Sequence, residues 1–309
     1  MDSELFKQYI DDMFDLIEFC RGDETTVWGK ARIAMGHAEP FDLPFICIGN
    51  ENEGEVYFER YQAFLDAFNK AKAENPELYE GIELIYSAGA FDATHGENYL
   101  PSYEYAKEQI GGGSASDFAG ATDQHYYNEP EWFLKNIDYY DADNYSRDID
   151  GMTDSIYGGA LKVFLGEYAA RSNTLRAALA EAAYMTGLER NGDIVRMAAY
   201  APLFGNLTAT HWSPDLIWFN NHQVTGSISY YVQKLFSTNT GTSLLDSELN
   251  GAAIPQEKLS GRGGIGAWYT TAAFDNVLVI DNATGKTLGK DDFSVNSLFW
   301  NWNKANDGE

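Results

Sequence analysis

Apolar residues recur at helical spacing between Ser3 and Cys20, as Leu5, Phe6, Tyr9, Ile10, Met13, Leu16 and Ile17, and Gly22 offers a stop. The period then changes. Phe45-Ile46-Cys47-Ile48 is a short apolar run between Pro44 and Gly49 and predicts a buried strand. Helical spacing returns from about Val56 to Ala73, with Tyr61, Phe64, Leu65 and Phe68 on one side and Pro76 beyond. The same alternation predicts strands over Ile82–Ser87, Ala121–Tyr127 and Lys162–Tyr168. It predicts helices over Tyr103–Ile110, Glu131–Tyr139, Asn173 or Thr174 to Met185 with Gly187 closing, Asp193–Tyr200, and Ser227–Phe236. One or two further strands are expected between Thr208 and Phe219.

Strands alternating with helices imply βα units around a parallel sheet, five or six of them by this reading. After about Thr240 helical periodicity ends, and Gly, Thr and Asn become frequent. Ile265–Trp268 and Ala273–Val279 read as two strands with a turn between them. The expected organisation is therefore a (β/α) domain over residues 1–240 and a β-rich segment over residues 241–309.

The chain has 309 residues, with 21 basic against 47 acidic, and a formal charge of −26. That balance argues against nucleic acid and anionic membranes as partners, since both require a basic surface. A neutral sugar carries no such electrostatic cost. The 20 Tyr, 18 Phe and 7 Trp suit sugar-stacking surfaces and large cores equally well. The two cysteines, Cys20 and Cys47, are too few for a disulfide framework, and spacing does not say whether they pair. No secretory leader or membrane-length apolar run is visible. Zinc patterns, phosphate loops and dinucleotide fingerprints are lacking as well, so no metal or cofactor is expected. The acids Asp141, Asp143, Asp148 and Asp150 do not have the spacing of a calcium loop and read as a solvated face.

Two glutamates stand just beyond strand runs: Glu51 after Ile46-Cys47-Ile48-Gly49-Asn50, and Glu167 after Val163-Phe164-Leu165-Gly166. A strand-end acid is more often a helix N-terminal or solvated residue. Two of them in one βα chain leave catalysis and that plainer role evenly matched, and their flanks decide. Phe45–Asn52 resembles the acid/base segment of the family 51 glycoside hydrolases, mainly α-L-arabinofuranosidases, and Val163–Ala169 resembles their nucleophile segment. Thr174–Ala183 with Thr186–Asn191, Tyr200–Phe204, Trp212–Ile217, Trp28–Arg32 and Gly36–Phe41 extend the resemblance in order across residues 1–240.

The resemblance implies a (β/α)₈ TIM-type barrel and retaining hydrolysis of arabinose-containing oligo- or polysaccharides. It assigns Glu51 as general acid/base and Glu167 as nucleophile. Asn50 would bond the hydroxyl next to the anomeric carbon, His125 would line the sugar pocket, and Tyr127 would position Glu167. Trp212 would stack near the pocket, although a core role is as common for a tryptophan; a hydrogen-bonded core role likewise stays open for His125. The match begins near the family's third barrel strand. It therefore implies that the first strands are absent and that Met1 is internal to a longer protein. The same dyad on another glycan, as in an endoglucanase or xylosidase, and an inactive carbohydrate-binding fragment are the competing expectations. The tail from Gly263 to Val279 resembles the closing strands of a concanavalin-like or laminin-G-like sandwich. Oligomeric state and compartment are left open.

Overall fold

The computed structural model describes residues 3–90, 100–111, 113–147, 161–242, 277–281 and 286–291. Helix α1 (Glu4–Arg21) starts where Ser3 Oγ accepts from the Phe6 N–H, and it buries Met13, Ile17 and Cys20. A short helix not foreseen from the pattern, α2 (Val27–Ala34), is capped by Thr26, whose hydroxyl accepts from Gly29 N. Then come β1 (Phe45–Ile48), α3 (Gly54–Glu74), α4 (Pro76–Tyr79) and β2 (Glu83–Ala90). They are followed by α5 (Leu100–Ile110), α6 (Ala115–Phe118), β3 (Ala121–Asn128), α7 (Pro130–Lys135), β4 (Val163–Ala170), α8 (Leu175–Arg190) and β5 (Val195–Tyr200).

These five strands form one sheet in the order β1-β2-β3-β4-β5, with every neighbouring pair parallel. Sequential order without reversal is the winding of a (β/α) barrel rather than of a doubly wound sheet, whose order reverses at its middle. Among the described residues the sheet is open, and it forms part of a barrel. The helices cover one face, in two clusters. One joins Met13 and Ile17 of α1 to Ile46, Ile48, Tyr61, Tyr86 and Phe118; the other joins Tyr126, Phe133, Leu165, Tyr168 and Tyr184.

Beyond β5, the strands β6 (Phe204–Asn206), β7 (Ile217–Phe219) and β8 (Val224–Gly226) make a separate sheet, parallel between the first two and antiparallel between the last two. Ser227 then caps α9 (Ile228–Thr238). The chain divides into two compact units, residues 1–244 and 245–309. Within the second, β9 (Val277–Asp281) pairs antiparallel with β10 (Lys286–Asp291). The strand expected at Ile265–Trp268 lies outside the described residues, as does most of the one at Ala273–Val279.

Three expectations are corrected. Asp193–Tyr200 is not a helix: Val195–Tyr200 is strand β5, in register with β4 through Val163↔Val195, Phe164↔Met197 and Tyr168↔Tyr200. Its Arg, Met and Ala residues favour helix locally, but a partner strand outweighs that preference over six residues. Gly187 does not end α8, which continues to Arg190. A Cβ there would lie 2.0 Å from the Ile137 carbonyl, so the glycine admits a close approach instead. Helix α7 stops at Lys135, short of Tyr139, where Asn136 turns its amide onto the Trp132 carbonyl.

Candidate functional site

The turn after β1 carries the first expected acid. Gly49 has φ 93° and Glu51 φ 54°, so both lie in the left-handed region. For glutamate that conformation is strained and needs support from its surroundings. The support comes from Asn52, whose Oδ1 accepts from Asn50 N at 2.9 Å, and from Ser87 on β2, whose hydroxyl accepts from Asn52 N and donates to Asn52 O. Tyr57 of α3 ties the two strand ends together, donating to Ile48 O and accepting from Ser87 N, each at 2.7 Å. Asn50 stands exposed on the same turn.

The second acid is placed by a bulge. Across β3 and β4, Asp123 pairs with Phe164 and Gln124 with Leu165, but His125 pairs with Glu167. Gly166 is therefore the extra residue. Without that bulge, regular alternation through Gly166 would put Glu167 on the same face as Leu165, among the helices. With it, Glu167 shares the face of Asp123, His125 and Tyr127, while Tyr168 joins the helix-side cluster. The bulge also needs a residue without a side chain, because a Cβ at Gly166 would meet Asp123 Oδ1 at 2.0 Å.

These elements bring four of the expected residues together. His125 Nδ1 lies 3.1 Å from Glu51 Oε1 and 3.7 Å from Glu167 Oε2. Tyr127 donates its hydroxyl to Glu167 Oε2 at 2.7 Å. Burial and that carboxylate together hold the Tyr127 hydroxyl well above the usual tyrosine range. Glu51 and Glu167 remain partly open to solvent, with side chains 41% and 31% exposed. Trp212, in the loop between β6 and β7, sets its ring edge-on to Tyr127, the partner of Glu167, with centroids 5.5 Å apart.

The pattern of residues did not single out Asp123, Asn52 or Ser87. Asp123 is buried, accepts from His125 Nε2 at 2.9 Å and faces the Cys47 thiol at 3.7 Å. Burial and Asp123 push that thiol up to about 12, and both cysteines are free. One signal was available for Asp123: it stands two residues before His125 in a strand, hence on the same face.

Donor atoms of Glu51, His125 and Glu167 all lie within 4.8 Å of one another, near enough for a small cation to bridge. The nitrogen that would ligate it already faces Glu51 in a hydrogen bond, so the arrangement reads as a proton-linked network. Of the acids read as a solvated face, Asp141 pairs with Arg190 at 2.8 Å and accepts from Asn191, while Asp143 is exposed. Asp148 and Asp150 lie outside the described residues. No helix among the described residues is long and apolar enough to cross a membrane.

Residues 1–147 match the family model "Alpha-L-arabinofuranosidase 1 domain", and residues 163–301 match "Alpha-L-arabinofuranosidase C-terminal domain". An extracellular exo-α-L-arabinofuranosidase of Streptomyces chartreusis is 39% identical over 97% of this chain and 33% of its own length. α-L-Arabinofuranosidase 1 of Arabidopsis thaliana is 34% identical over 79% of this chain and 31% of its own length. The chain thus spans about a third of the length of these curated relatives. Among solved structures, the arabinose-bound MgGH51 α-L-arabinofuranosidase superposes with a TM-score of 0.54 at 31% identity, covering 76% of this chain and 34% of that one. The Thermotoga maritima α-L-arabinofuranosidase, at 18% identity and TM-score 0.53, covers 75% of this chain and 47% of its own, and shares the fold. With both family models matched in order and a relative of 39% identity along nearly the whole chain, this protein belongs to the family 51 α-L-arabinofuranosidases.

Proposed function

We propose that residues 1–240 form the catalytic unit of a retaining glycosidase built on the (β/α)₈ plan, which releases terminal α-L-arabinofuranosyl groups from arabinose-containing glycans. Residues 241–309 are a separate β-rich unit. The observation that carries this reading is the convergence of Glu51, from the turn after β1, and Glu167, from within β4, to within 4.8 Å through one oxygen of each. Retaining enzymes need a carboxyl separation of about 5–5.5 Å so that one acid attacks the sugar directly; inverting enzymes need about 6.5–9.5 Å to admit a water.

In the first step the Glu167 carboxylate forms a bond to the anomeric carbon, while Glu51 gives its proton to the departing glycosidic oxygen. In the second step Glu51 takes a proton from water as that water displaces Glu167. Tyr127 fixes the attacking carboxylate through its hydroxyl. Asn50 is assigned to the hydroxyl beside the anomeric carbon, and His125 and Trp212 to the pocket wall.

The test is release of nitrophenol from p-nitrophenyl α-L-arabinofuranoside by the 309-residue chain, with other nitrophenyl glycosides alongside. Release that falls by at least about 10³-fold in Glu167→Ala supports the assignment. Turnover of a different sugar moves the substrate class, to the endoglucanase or xylosidase alternative. The open sheet favours one second reading, in which the pocket binds sugar without hydrolysing it. Binding of arabinose-containing oligosaccharides by a folded chain that releases nothing would establish that reading.

A further inference from the structure

Asp123 is 4% exposed and His125 3%. A carboxylate so deep requires partners. Its Oδ2 takes the His125 Nε2 hydrogen bond, and the Cys47 thiol of β1 approaches the same oxygen. Glycine at position 166 leaves room for this pair, since a Cβ there would lie 2.0 Å from Asp123 Oδ1 and 3.0 Å from His125 Nε2. The imidazole therefore faces carboxylates from three elements: Asp123 on its own strand, Glu51 from the turn after β1, and Glu167 from β4. Among the described residues, Tyr127 and Cys47 are further titratable groups at this junction, each bonded to one of those acids.

The partner of one imidazole nitrogen fixes what the other can do. An ionised Asp123 only accepts, so Nε2 carries hydrogen. A neutral ring would then present a bare Nδ1, which would draw the Glu51 proton toward itself. A cationic ring instead donates Nδ1–H to Glu51 Oε1, leaving Oε2 to carry any proton on that acid.

We propose that Asp123 is a positioning residue: by accepting Nε2–H it holds His125 as a cation, whose Nδ1–H occupies Glu51 Oε1 and leaves Oε2 to exchange the catalytic proton. The proposal rests on Glu51 being the acid/base. Burial pushes the imidazole down, but the hydrogen bond and charge of Asp123, with help from Glu51 and Glu167, carry it up to about 9. The proton leaves Glu51 Oε2 for the glycosidic oxygen as the C1–O bond breaks and the Glu167–C1 bond forms. It is replaced on Oε2 from the water that later cleaves that bond, and His125 keeps both of its protons throughout.

The experiment is a pH titration of the full chain with ¹⁵N-labelled histidine, the His125 signals being assigned by their loss in His125→Gln. The expected midpoint near 9 falls by about two units or more in Asp123→Asn, which keeps the shape and removes the charge. In parallel, kcat/KM should fall about 100-fold or more on methyl α-L-arabinofuranoside, whose leaving group needs a proton, and less than about 10-fold on the nitrophenyl substrate, whose leaving group does not. An unchanged His125 midpoint in folded Asp123→Asn overturns the proposal, as do equal losses on the two substrates. No hydrolysis by the unaltered chain overturns the acid/base part together with the proposed function. The titration then separately decides whether Asp123 holds His125 charged.

Discussion

Glu51 is a non-glycine residue in the left-handed region, and the hydrogen bonds that keep it there come from Asn52 and Ser87. Removing the Asn52 side chain frees the turn to relax and moves the carboxylate away from His125. We expect Asn52→Ala to lower kcat/KM on the nitrophenyl substrate by about 10–100-fold with little change in melting temperature. An equal activity in the variant would show that the turn holds itself. Gly166→Ala should displace Asp123 and reproduce the lowered His125 midpoint of Asp123→Asn, read by the same titration. Glu51 and Glu167 were legible because each closes an apolar run, whereas His125 and Tyr127 stood out only through a family resemblance. Asn52 and Ser87 were not legible, because their role lies in a contact across 35 positions that no local pattern records.

At the scale of elements, a buried arginine joins two segments. Arg32 of α2 is 1% exposed and donates to the carbonyls of Phe19 and Cys20 in the last turn of α1, and to those of His37 and Ala38. A cation suits the negative end of a helix, and a fork of donors suits several acceptors at once. Arg32→Met would take that donor from the Phe19, His37 and Ala38 carbonyls, while Cys20 O keeps the Phe41 N–H, and should cost about 3 kcal/mol in denaturant unfolding.

Glu181 of α8 holds the end of β4 by accepting from Ala170 N at 2.9 Å. Burial raises its carboxyl to about 7 from the 4.5 of an exposed glutamate, against the opposing pull of Ser229 and Ala170. Between those values the folded chain keeps a proton that the unfolded chain has lost. The contribution of about 3 kcal/mol is complete below about 4.5 and disappears as pH rises toward 7. Unfolding curves across that range should show the decline, and Glu181→Gln should flatten it. The strand–helix alternation around these elements was legible from periodicity. β5 was not, because its composition favours a helix and only its neighbour β4 makes it a strand.

For the whole molecule, β1 ends the sheet on one side. Beside it runs a groove of about 680 Å³ between α1, β1 and α3, lined by Leu5, Phe6, Tyr9, Leu16, Ile46 and Phe64 among others. Leu5, Tyr9 and Leu16 are 57%, 54% and 45% exposed. A strand edge without a partner among the described residues, beside apolar side chains, invites association, while a net charge of −26 resists it. Salt screens the second effect and not the first. Light scattering should therefore show association that grows with ionic strength, and Leu5→Glu with Leu16→Glu should suppress it. The bulge at Gly166 carries a different kind of consequence, for insertions and deletions rather than substitutions. Deleting that one residue would leave β4 able to pair along its whole length, with every amino acid still present on either side. It would also keep the two faces of the strand as they are, because Leu165 and Glu167 would become consecutive and still pair with Gln124 and His125. At this position a gap of one thus disturbs the facing of Glu167 less than an added side chain does, since a Cβ at residue 166 would meet Asp123 Oδ1 at 2.0 Å.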